Sequence, residues 1–144
     1  MDDQLFVGDR KPSTDYMTEL GNWDIVPEVP NDSNLYQKPY GGIWTSTFSD
    51  GESEWSETEH ADGKYWRLTV SDDTEVFIID SMDDLRSLPN RDEQKIAPDF
   101  EQVAESYDAV RATADGIDAA GLDAWEVEST VWFDWCFESV GLIQ

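Results

Sequence analysis

Basic residues are scarce in this chain: four Lys and five Arg stand against 33 acidic residues, a formal net charge of −24 over 144 residues. A protein this poor in Lys and Arg has little with which to release counterions from a phosphate backbone, so direct nucleic-acid binding is not expected. Cysteine and histidine are scarcer still. Cys136 is single, so no internal disulfide can form, and with His60 as the one histidine a transition-metal site of His/Cys type is not expected. The acidic residues never fall into the Asp-x-Asp-x-Asp-Gly spacing of a calcium loop, so no metal is expected at all. Long apolar runs are also missing, and the opening MDDQLFVGDRK has no basic region leading into an apolar one. Neither a membrane span nor an export signal is expected.

Aromatics, in contrast, are plentiful: seven Trp, five Tyr and six Phe. Disordered acidic chains lack such residues, and these supply enough buried area for a core. A length of 144 residues suits one domain, 1–144, in which an irregular segment over 1–36, interrupted by Pro12, Pro27 and Pro30, precedes a core over 37–144.

Where the charge lies separates two explanations for it. Acidic residues number eight in 1–48, fourteen in 49–96 and eleven in 97–144, and Asp outnumbers Glu by 20 to 13. This even spread favours adaptation to concentrated salt, where screening shortens Coulomb repulsion and acidic surfaces keep chains soluble. An acidic DNA mimic, which would need carboxylates in a row at phosphate-like spacing, is the weaker alternative. The expected location is the cytoplasm of a high-salt host, or a virion.

Periodicity places strands at 4–8, 43–48, 65–70 and 109–113, and a strand at 76–79 whose continuous VFII run argues for a central position. The run from Trp125 to Trp135 alternates apolar residues with Glu126, Glu128, Thr130 and Asp134, which predicts one more strand with carboxylates on one face. Helices are expected at 52–60, after Ser81, and after Asp99, where Phe100, Val103, Ala104 and Tyr107 share a face. ADGIDAAGLDA reads as an irregular connection. The result is an α+β domain with a mixed or antiparallel sheet of five to six strands and two to three short helices.

KPYGGIWTST, VFIIDSMDDL, DFEQVAESYDAV and WEVESTVWF, in that order, resemble an uncharacterised family of tailed viruses and their prokaryotic hosts with KPxGGLWTS and WxxESTLW motifs. The order of elements also resembles ADP-ribosyltransferase-like folds, in which a basic residue on the first strand, a Ser-Thr-Ser-like strand and a Glu-x-Glu pair line a cleft for NAD. Thr45-Ser46-Thr47 and Glu126-Val127-Glu128 match the last two elements.

That resemblance implies a role for each residue. Glu128 would be the catalytic carboxylate that accepts from a ribose hydroxyl and stabilises an oxocarbenium-like transition state. Glu126 would orient or deprotonate the acceptor. Thr45 and Ser46 would be the cleft hydroxyls, and Trp44 or Tyr40 a wall for nicotinamide. Val7 stands where the class has a His or Arg, so Arg10, beyond Gly8, would have to reach back to the pyrophosphate. The enzyme reading is a virus- or mobile-element-associated transferase acting on a host target. The alternative is a non-enzymatic virion or protein-interaction component, with subunits or another protein as partner and a symmetric oligomer expected.

Overall fold

Short β-prone segments in this chain find their partners far along the sequence. The computed structural model describes residues 1–8, 11–13, 43–53, 64–90, 98–122, 125 and 127–143. Its strands are β1 (Gln4–Gly8), β2 (Ile43–Thr47), β3 (Lys64–Val70), β4 (Val76–Ile79), β5 (Ala109–Ala112), β6 (Ser129–Trp132) and β7 (Phe137–Leu142). Its helices are α1 (Met82–Ser87), α2 (Phe100–Ser106) and α3 (Ala114–Ala120). The α+β class follows, with seven strands among the described residues rather than five or six, in the order β4-β5-β6-β2-β1-β3-β7. The sheet is curled and mixed: β4 and β5 run parallel, and every other pair is antiparallel.

The helices form where local chemistry starts and stops them. Ser81 caps α1 by accepting from the Asp84 amide, and Pro89 lies just past its end. Asp99 caps α2 by accepting from Gln102. Phe100 and Val103 of α2 are buried and Tyr107, just past its end, packs on the same core; Ala104, expected beside them, is exposed. Helix α3 was expected as an irregular connection. Thr113 caps it by accepting from the Gly116 amide, Ile117 and Ala120 face the core one turn apart, and Gly121 ends it in the left-handed conformation at φ 66°. Gly116 is required by packing: a Cβ there would lie 2.1 Å from the Ile79 carbonyl oxygen.

Two apolar clusters cover the two faces of the sheet. On one face the helices pack Leu85, Phe100, Val103 and Ile117 against Ile79, Val110 and Val131. On the other, Phe6, Trp66, Leu68 and Phe137 close around Ile43 and Trp132. Strand β1, near the start of the chain, is interior to the sheet and its Leu5 is fully buried.

Two further expectations are corrected. Among the described residues strand β4 is an edge strand, not a central one. Its alternate residues Phe77 and Ile79 serve the helix-side core, while Ile78 is 47% exposed, so the VFII run does not reflect two covered faces. The segment expected as one strand from Trp125 to Trp135 contains only the four residues of β6, after which the chain bends at Phe133 and Asp134 and begins β7. The helix expected at 52–60 lies outside the described residues from Glu54 onward.

Strand β2 joins the two wings of the sheet. Its Ile43–Thr45 half pairs with β6, and its Ser46–Thr47 half pairs with β1. The wings therefore part at one point on this strand.

Candidate functional site

At that parting point the ladder between β2 and β6 runs out. Thr45 pairs with Thr130, and the same register carried two residues further would set Thr47 opposite Glu128. There the side chain of Glu128 takes over from the backbone: Oε1 accepts from the Thr47 amide at 3.0 Å. Oε1 also accepts from Ser46 Oγ at 2.7 Å, and Oε2 accepts from Thr47 Oγ1 at 2.6 Å. Arg111, on neighbouring β5, donates from Nε to Oε2 at 2.7 Å and forms an ion pair with it.

Glu128 was expected on a carboxylate face of a strand; it is only 6% exposed. Burial pushes its carboxyl upward, but the donors outweigh that effect: the Thr47 hydroxyl, the Ser46 hydroxyl, the Thr47 amide and Arg111 together hold it below the ordinary carboxylate value. The group is thus a fixed anion, suited to meeting developing positive charge and poorly suited to taking up a proton.

The carboxylate borders a cavity of about 380 Å³, with Thr47, Ser49, Glu52, Ser53 and Arg111 also in its wall. One side of this cavity is a tight turn. The Ser49 and Glu52 backbones exchange hydrogen bonds at 2.9 Å in both directions, and Asp50 and Gly51 adopt positive φ of 54° and 80° between them. An Asp-Gly pair meets that requirement at low cost.

The residues named from the sequence separate into groups. Ser46 and Glu128 come together, the hydroxyl donating to the carboxylate. Thr45 is fully buried, donating to Gln4 Oε1 at 2.7 Å and accepting from Trp132 Nε1 at 2.8 Å, so its hydroxyl is committed within the sheet and does not line the cavity. Trp44 stacks edge to face on Trp125 with centroids 5.0 Å apart beside the helix-side core, and is not among the residues lining the cavity. Tyr40, Arg10 and Glu126 lie outside the described residues.

Two residues of the site were missed. Thr47 was read only as part of a hydroxyl run, although strand alternation and the Ser49-Asp50-Gly51 breakers could have marked it as the last residue before an opening. Arg111 was read only as part of a strand. Its signal was a cation inside the apolar run AVRA in a chain with nine basic residues, where a charge within a strand needs a partner.

Among the described residues no group of His, Cys, Asp or Glu side chains is arranged to hold a metal ion, and no helix is long and apolar enough to cross a membrane. Comparisons with protein-family models, with curated proteins and with solved structures return no match to this chain.

Proposed function

We propose that this chain is an ADP-ribosyltransferase-like protein that releases nicotinamide from NAD and transfers ADP-ribose to a target in a host cell, in a viral or mobile-element setting. One observation carries the reading: a hydroxyl of the Thr45-Ser46-Thr47 strand is bonded at 2.7 Å to the second carboxylate of the Glu-x-Glu pair, at the border of a cavity.

In this reaction the bond between ribose C1 and the nicotinamide nitrogen breaks, and nicotinamide departs with the bonding electrons as a neutral molecule. Positive charge grows on the ribose ring. An ionised Glu128, fixed by donors from two strands, stabilises that charge without moving, which is the economical form of electrostatic catalysis. A ribose hydroxyl entering the cavity would compete with the Thr47 hydroxyl for Oε2. Because the Glu128 carboxyl is held below its ordinary value, the proton of the incoming acceptor goes to another group, the role the resemblance gives to Glu126.

A second reading draws on the same geometry. Four donors on one carboxylate, among the described residues, also describe a structural clasp, which would serve a non-enzymatic virion or interaction domain.

Nicotinamide release from NAD in molar KCl separates the two. The transferase reading expects release by the wild-type chain and a loss of about 100-fold or more in a folded Glu128→Gln variant. No release and no NAD binding by the folded wild-type chain would leave the clasp as the function of the site.

A further inference from the structure

The cavity at Glu128 does not stand alone. A second one, of about 510 Å³, is bounded by Met1, Asp2, Thr74, Val76 and Ile78, and it shares Thr47 and Arg111 with the first. The register explains why. Arg111 pairs with Ile78 on one side and Thr130 on the other, and Thr130 pairs with Thr45. Paired residues point to the same face of a sheet, as do residues two apart, so Ile78, Arg111 and Thr47 all face one way. The two cavities are adjoining lobes of one groove, with Arg111 and Thr47 at its waist. Each lobe falls within the ordinary size range of a small-molecule site.

The lobes differ in chemistry. The first carries Glu128, Ser49, Glu52 and Ser53; the second has Val76 and Ile78 along an edge strand, with Ile78 47% exposed. The waist carries one cation, Arg111, ion-paired through Nε with Glu128. Among the described residues the Arg111 guanidinium engages only Nε, toward Glu128, which leaves the N–H bonds of both Nη atoms for a ligand. Its planar fork can hold a carboxylate with one edge and a phosphate oxygen with the other.

We propose that Arg111 is an anion-binding residue at the waist of a two-lobed groove, whose ligand is a dinucleotide: one nucleoside by Glu128, the phosphate linker on Arg111, and the other nucleoside against Val76 and Ile78. This deepens the reading given above and rests on it for the Glu128 lobe alone.

The test is calorimetric titration of ADP, which carries the phosphates and the second nucleoside without nicotinamide, at fixed molar KCl. Wild type, Arg111→Gln and Ile78→Asp are compared after circular dichroism confirms that each is folded. Binding by the wild type that weakens roughly tenfold or more in each folded variant is the expected result. Ile78→Asp alone decides if Arg111→Gln does not fold, because Ile78 is exposed and has no part in the Glu128 ion pair. No ADP binding by the wild type, or ADP binding unchanged in any folded variant, overturns the proposal. ADP binding of the expected pattern without nicotinamide release would retain the groove and remove the transferase reading.

Discussion

Glu128 substitutes for a strand in front of Thr47: its Oε1 takes the amide at 3.0 Å and its Oε2 takes the hydroxyl at 2.6 Å of the same residue. One carboxylate thereby ends a ladder, satisfies the donors exposed by that ending, and leaves an opening beyond. The site exists because the sheet stops being continuous there.

Replacing Glu128 by Gln should therefore be costly to the fold. Donors converge on both carboxylate oxygens, and an amide nitrogen in place of either oxygen would face a donor with a donor. The Arg111 charge would also lose its partner. We expect a loss of about 2–4 kcal/mol in denaturant unfolding at fixed salt. Stability equal to wild type would mean that the clasp contributes little.

Acid stability should depend on the same group. The folded carboxyl is held below the ordinary value of 4.5, so below that pH the unfolded chain binds the proton more readily than the folded one. The contribution of Glu128 is present above pH 4.5 and is lost as pH falls through its lower folded value. Unfolding curves measured across this range should fall more steeply with acid for wild type than for Glu128→Gln. Parallel slopes would show that the carboxyl is not held down.

Gly116→Ala should destabilise the protein even though alanine favours a helix by roughly 1 kcal/mol. The added Cβ would meet the Ile79 carbonyl oxygen at 2.1 Å, and a backbone atom in a paired strand cannot turn aside. A net loss of about 2 kcal/mol or more is expected from thermal or denaturant unfolding. A variant as stable as wild type would contradict the close seating of α3 on β4.

Cys136 should react sluggishly. Burial, followed by the charges of Asp108 and Asp134, raises its thiol to about 11. Thiolate is the reactive form, so alkylation of the folded chain should climb steadily with pH and show no plateau below pH 10. A plateau near pH 8 or 9 would place the thiol in a different environment.

Salt should stabilise this chain. With a net charge of −24, repulsion acts over about 10 Å at 0.1 M salt and about 3 Å at 1 M. The thermal midpoint should rise between 0.1 and 2 M KCl, and a flat or falling response would remove the argument for salt adaptation.

Much of the fold was legible because local signals agreed with distant ones. The strands at 4–8, 43–47, 64–70 and 109–112 and the caps at Ser81 and Asp99 were all marked by residues next to them. What was illegible required knowing the neighbour. The VFII run looks central until its partner is known to lie on one side only. Helix α3 looks irregular until Gly116 is seen to be the residue that fits against Ile79. Within the site, Ser46 and Glu128 were each named through a resemblance, whereas Arg111 joins them through a register that no local pattern encodes.

The clasp between Ser46 and Glu128 joins residues 82 positions apart, and the Trp132 indole reaches Thr45 across 87. Contacts this distant in the chain are paid for in loop-closure entropy before they reward folding, so they arrive late. During synthesis the first hundred residues emerge without Glu128, the carboxylate that the Ser46 and Thr47 hydroxyls meet in the folded chain. A chain cut before Glu128 therefore lacks the clasp altogether.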